Sequence, residues 1–232
     1  MSNFTALKGM LVQVAQALGP EVLNEVAFVG GCTTGLHLTD EFSKENVRLT
    51  DDVDLIVSVV TRAGWYKFQE DMRAKGFKES MEDDHTCTMR LDGLQVDFLP
   101  DDESVLGFSS NWYEQGLKAA INYQLTSDIK IRLLTPPYFV ATKFEAYFGR
   151  GNNDPLESRD IEDILNVFSG RAELVSEIEA APTELKQYIS KSISEVLKNT
   201  YFEYAVQSAA NEIKEHERLI FERLDYISGL AA

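Results

Sequence analysis

The chain has 232 residues, enough for one large domain or two small ones, and 44% of them are hydrophobic, so it can bury a core. Lys and Arg number 22 and Asp and Glu 38, a formal charge of −16; this repels phosphate backbones at long range, so a nucleic-acid partner must be met by a local basic patch. The two cysteines, Cys32 and Cys87, make no paired motif, and His37, His85 and His216 lack zinc-ligand spacing. There is no basic leader followed by an apolar core and no apolar run of membrane-spanning length, so the expectation is a cytoplasmic protein with no membrane partner.

Leu7, Leu11, Val14, Ala15 and Leu18 fall at helical spacing over Phe4 to Leu18, and Gly19-Pro20 ends that run. Val26 to Val29 is a short apolar strand, and Gly30-Gly31 after it allows a tight turn with close backbone approach. A short helix over Thr33 to Leu38 would turn its first amides outward, where they attract anions. The polar stretch Thr39 to Thr50 reads as a loop. Asp52 to Val60 has the β-branched content of a strand, and alternation sets Asp52 and Asp54 on one face with Asp51 and Val53 on the other.

Arg62 to Lys75 predicts a helix with Trp65, Phe68 and Met72 inward and Gly76 as its stop. After an acidic loop, Glu79 to Asp84, two strand-like runs, Thr86 to Leu91 and Leu94 to Leu99, flank Asp92-Gly93, a hairpin turn signal. Asp97 shares a face with Gln95 and Leu99, a carboxylate inside a strand where such groups are uncommon. Ser109 to Ala120 suggests a helix and Asn122 to Leu134 one or two strands. Thr135-Pro136 starts a helix that runs to about Arg150, and Lys143, between Phe139 and Tyr147 at helical spacing, lies on or beside its apolar face and needs a partner.

The loop from Gly149 to Pro155 is the expected boundary between an α/β half, residues 1–150, and a helical half, residues 151–232. Ser158 caps a helix with Ile161, Ile164, Leu165 and Phe168 inward and Asp160, Glu162 and Asp163 in its first turns. Ala172 to Ala180, Thr183 to Asn199 and Tyr201 to Ile227 read as helical throughout. The expected fold class is α/β (α+β), a mixed sheet flanked by helices plus a C-terminal helical domain.

Same-face carboxylates with a third nearby suit magnesium, which takes oxygen ligands from a few carboxylates and from substrate phosphates. Two such ions can stabilise the attacking and leaving oxygens of an in-line displacement. Asp52, Asp54 and Asp97 are the candidate metal ligands, Gly30 and Gly31 the candidate phosphate cradle, and Lys143 the candidate counter-charge. The same residues have blander readings. Asp52 and Asp54 suit a solubilised edge strand, Asp97 a partner for a Lys or Arg, and the glycines a plain turn. Lys143 suits an ion pair with Asp160 or Asp163, and Asp160, Glu162 and Asp163 suit a helix N-terminus. Cys32 and His37 read as packing residues.

Phe28-Val29-Gly30-Gly31 followed by Asp52-Val53-Asp54-Leu55 resembles the glycine-pair and Asp-x-Asp motifs of the DNA polymerase β-like nucleotidyltransferase superfamily, and Leu94 to Pro100 resembles its third-carboxylate strand. Ala141 to Ala146 and Ser158 to Leu165 are similar to the Lys helix and the Asp-x-x-Asp helix of its AbiEii-type, abortive-infection toxin-like branch. The likeness runs in order from about Val26 to Phe168. It implies a polymerase β-like core and a magnesium-dependent transferase that moves a nucleoside monophosphate from an NTP to an acceptor hydroxyl. Asp52, Asp54 and Asp97 would hold two Mg2+ ions, with Lys143 and Asp163 as further catalytic residues and Gly30, Gly31, Thr33 and Lys143 at the nucleotide. The active site would lie between the two halves. An RNA end as acceptor and an antitoxin protein as partner are also implied. Many relatives have Ser where this chain has Gly31, which leaves Thr33 or Thr34 to supply any hydroxyl at the phosphate. The long gap from Gly31 to Asp52 makes Thr39 to Thr50 an insertion or lid. The acidic composition also suits a small cationic acceptor, as in the aminoglycoside nucleotidyltransferases. A nucleotide-binding or interaction module without turnover is the reading from a different class.

Overall fold

A computed structural model of the chain describes residues 2–59, 61–80, 85–150 and 153–231. The expected strand end at Val60, the loop residues Met81 to Asp84, and Gly151-Asn152 lie outside the described residues. The fold is α/β, with helices and a six-stranded mixed sheet. In chain order the elements are α1 (Asn3–Leu23), β1 (Ala27–Val29), a 3-10 turn (Gly31–Thr33), α2 (Thr34–His37), α3 (Glu41–Glu45), β2 (Asp52–Val57), α4 (Arg62–Ala74), β3 (Thr88–Leu91), β4 (Leu94–Pro100), α5 (Glu103–Leu106), α6 (Tyr113–Ala119), β5 (Ile121–Gln124) and β6 (Lys130–Leu133). The helices α7 (Pro136–Arg150), α8 (Arg159–Gly170), α9 (Leu174–Glu179), α10 (Thr183–Val196), α11 (Phe202–Ala209) and α12 (Lys214–Ser228) follow. Among the described residues no helix is long and apolar enough to cross a membrane.

The chain divides into two compact units, Met1–Thr33 with Arg48–Thr135, and Thr34–Val47 with Pro136–Ala232. This differs from a division at residue 150. Gly149 and Arg150, expected to open a loop, instead end α7, and α7 and α8 pack on each other within the second unit. A hydropathy pattern shows that α7 has a buried face but not which unit covers it.

In the first unit the strand order is β3-β4-β2-β1-β6-β5. β2 runs parallel to β4 and antiparallel to β1, β1 runs parallel to β6, and β3 and β5 close the edges as antiparallel hairpin partners. Asp92 at φ 50° and Gly93 at φ 88° make the tight turn between β3 and β4, as the Asp-Gly pair predicts. Val53, Leu55, Val96 and Phe98 are all buried on one face of β2 and β4. On that face the Phe98 ring meets Phe68 and Phe77 edge-on, at 5.1 and 5.4 Å. Helix α1 breaks at Gly19, φ 74°, where Gly19-Pro20 was expected to end it, and one further turn follows to Leu23.

The stretch Thr39 to Thr50, expected to be loop, lies in the second unit as far as Val47 and there contains α3, whose start is capped by Asp40 accepting from the Ser43 amide at 2.7 Å. Both α2 and α3 pack on α8, and the Thr39 and Asp40 amides donate to the Gly170 carbonyl. The run Tyr201 to Ile227, expected to be one helix, is two, because Asn211 and Glu212 take positive φ of 50° and 61°.

Removing the Phe98 ring takes apolar area from both aromatic contacts and leaves a cavity under the carboxylate-bearing strands. Phe98→Ala is expected to destabilise by about 3–5 kcal/mol. An equilibrium urea melt checks this; an unchanged midpoint would show that the rings repack without cost.

Candidate metal centre

The strand register builds the site. Because β2 and β4 are parallel neighbours with Asp52 opposite Gln95 and Asp54 opposite Asp97, alternation brings all three carboxylates to the face opposite Phe98. One oxygen from each of Asp52, Asp54 and Asp97 lies within 4.8 Å of the others, all three residues being partly exposed. A cluster of this kind can bind a metal ion, and its all-oxygen donor set fits magnesium.

Asp97 is held from two sides. The Thr88 hydroxyl, directly across the β3–β4 hairpin, donates to Oδ1 at 2.5 Å, and Gln95 Nε2 donates to Oδ2 at 3.1 Å. Sequence reasoning passed over both partners, although the two-residue turn already fixes Thr88 opposite Asp97. Burial, and after it the Asp97 charge, pushes the Cys87 thiol up to about 11.

Asp54 is held by the glycine turn. Val29 is its partner on β1, so the chain turns at Gly30 beside the carboxylate. A Cβ on Gly30 would lie 1.7 Å from Asp54 Oδ2, and Gly30 sits at φ 77°, so only glycine fits. Gly31 is covered differently. A Cβ there would come within 2.5 Å of Arg48 Nη2 and 2.9 Å of Thr50 Cγ2. Arg48 was missed because its only sequence signal is a charge within a polar stretch.

The Thr33 hydroxyl donates to the Gly30 carbonyl at 2.8 Å and is buried, so its proton serves the turn. Cys32 packs in the core, with its sulfur 3.4 Å from the Val29 carbonyl.

The remaining expected site residues meet in the second unit, where they form a buried polar cluster. Lys143 Nζ reaches Asp163 Oδ2 at 2.6 Å and Asp160 Oδ1 at 3.1 Å, and lies 5.7 Å from the Phe139 ring centre. The Thr34 hydroxyl donates to Asp163 Oδ1 at 3.0 Å, and Arg150 reaches Asp160 at 3.4 Å. Lys143 thus has the ion-pair partners its apolar position demanded. Glu162 and Arg159 are exposed. His37 is buried beside Phe139, its Nε2 without a hydrogen-bond partner among the described residues. Burial first, then the Arg171 charge, lowers its pKa from 6.5 to about 3, against an opposing pull from Asp163.

Two measurements follow from these placements. The unfolded chain protonates His37 near 6.5 and the native chain only near 3, so its contribution to stability is complete above 6.5 and lost as pH falls from there towards 3. His37→Phe is expected to lose less stability than the wild type between pH 7 and pH 4 in thermal melts; equal losses would show that His37 takes a proton without strain. Manganese, read by electron paramagnetic resonance, should bind the wild type and bind at least about tenfold more weakly to Asp54→Asn and to Gly30→Ala, whose new methyl drives the carboxylate away. Unchanged binding in both variants would remove the triad as the metal centre. No family model matches the chain, and no curated protein is significantly similar to it.

Proposed function

We propose that the chain is a magnesium-dependent nucleotidyltransferase of the polymerase β-like kind, moving a nucleoside monophosphate from an NTP to an acceptor hydroxyl. The observation that carries this reading is the β2–β4 register, which sets Asp54 beside Asp97 with Asp52 on the same face. Asp52, Asp54 and Asp97 would hold the magnesium, which when bound supplies positive charge to the transferring phosphoryl group.

The bond that forms joins the acceptor oxygen to the α-phosphorus, the bond that breaks joins the α-phosphorus to the bridging oxygen of the β-phosphate, and pyrophosphate leaves. The acceptor's proton passes to Asp97. Each of its oxygens accepts one hydrogen bond, from Thr88 and from Gln95, and a carboxylate has room for more. Those two donors also fix the angle at which Asp97 meets the acceptor. Gly30 and Gly31, expected at the phosphates, leave the side-chain-free space that the Asp54 carboxylate and the Arg48 guanidinium occupy beside the turn. Lys143, expected at the nucleotide, and Asp163, expected as a further catalytic residue, serve in this reading as the ion pair that pins α7 to α8.

The charge of −16 favours a small cationic acceptor over a long RNA. The resemblance adds an RNA end as the competing acceptor and a toxin-like role with an antitoxin. Incubation with each labelled nucleoside triphosphate and magnesium, with either bulk cellular RNA or a panel of aminoglycosides, separates the two acceptors. The wild type is expected to transfer label, and Asp52→Asn with Asp54→Asn to lower transfer at least about a hundredfold. Equal, background transfer by the two proteins would sink the enzymatic reading.

A further inference from the structure

We infer that Arg48 is the phosphate-gripping residue of this site, its guanidinium closing on the β- and γ-phosphates of the nucleotide from the Gly31 side of the turn. The inference rests on the nucleotidyltransferase reading of Asp52, Asp54 and Asp97 and names the counter-charge that reading needs.

The turn has two occupants on adjacent residues. Gly30 underlies the Asp54 carboxylate and Gly31 underlies the Arg48 guanidinium, whose Nη2 and Cζ would lie 2.5 and 3.3 Å from a Cβ at Gly31. Consecutive Cα atoms are about 3.8 Å apart, so the metal-binding and guanidinium-bearing sides of the turn are one residue from each other. The position of Arg48 is set from its own side as well. Thr50, two residues on, packs its methyl on Gly31 and donates its hydroxyl to the Asp52 carbonyl at 3.2 Å. Arg48 is therefore tied to the start of the strand that carries Asp52 and Asp54.

Electrostatics points the same way. A chain of −16 with three carboxylates gathered on one face repels a triphosphate, so a positive side chain must meet the anion locally. Lys143, the basic residue expected in that role, is enclosed by Asp160 and Asp163 in the second unit. Arg48 is half-buried, where a guanidinium is less screened than at an open surface, and its planar fork suits two phosphate oxygens at once. The missing side chain at Gly31 leaves the space that the fork occupies.

The test uses no transfer reaction. Binding of the preformed magnesium–tripolyphosphate complex is measured by calorimetry, and manganese binding by electron paramagnetic resonance, on the wild type, Arg48→Gln, Arg48→Lys and Gly31→Ala. Arg48→Gln is expected to weaken tripolyphosphate about ten- to hundredfold and leave manganese binding within about twofold. Arg48→Lys, which keeps the charge without the fork, should fall between. Gly31→Ala, which displaces the guanidinium with a methyl, should weaken tripolyphosphate even if Arg48→Gln fails to fold, and adding Arg48→Gln to it should cost little more. Tripolyphosphate binding equal to wild type in Arg48→Gln, or losses of metal and tripolyphosphate in the same proportion, would overturn the inference. So would a wild type that binds manganese but not tripolyphosphate, with the metal centre left standing. A wild type that binds no manganese would overturn the reading of the triad and this inference with it.

Discussion

Three carboxylates held within 4.8 Å of one another repel, and the rest of the first unit is arranged to hold them there. Like charges on paired strand positions destabilise a sheet, and Asp54 and Asp97 are such a pair. The opposing force comes from the other face, where Val53, Leu55, Val96 and Phe98 are buried against the phenyl rings of Phe68 and Phe77. A slip of β4 by one residue against β2 would bury Asp97 and expose Phe98, so hydrophobic burial is what fixes the geometry of a polar site. The hydrogen bonds from Thr88 and Gln95 refine the position of Asp97 within that frame.

The second unit treats its charges in the opposite way. Asp160, Asp163 and Lys143 are buried and mutually satisfied, with Thr34 and Arg150 completing the set. Such a cluster adds little net stability against an apolar alternative, yet losing one member would strand the others. Its value lies in specifying how α7 meets α8 and where the segment bearing Thr34 attaches. His37, kept neutral by its surroundings, belongs to the same buried neighbourhood through Phe139 and Asp163.

Much of the carboxylate site was legible because its determinants are local. Alternation along β2 placed Asp52 with Asp54, and the Asp92-Gly93 turn fixed the β3–β4 pairing that sets Thr88 beside Asp97. Other features depend on contacts that no local pattern encodes. Arg48 meets Gly31 although the whole of α2 and α3 lies between them in sequence, and α7 belongs to the second unit because of α8 and α10, which come after it. Two errors had smaller causes. Helix α3 is short enough to read as loop despite its Asp40 cap, and the break at Asn211–Glu212 rests on a positive φ at a glutamate, a residue that rarely signals one.

The first unit is interrupted. Its chain departs after Thr33 and resumes at Arg48, and the excursion between them packs on α8. During synthesis from the N-terminus, α2 and α3 therefore emerge long before the helix that covers them exists. Until then α2 and α3, with Leu36 and His37 buried in the finished fold, lack the α8 surface on which they pack. The glycine turn and Arg48 flank that gap, so they are joined through a segment whose packing partner is α8. Truncation before α8 would leave the three carboxylate-bearing positions intact in sequence and deprive that joining segment of its partner.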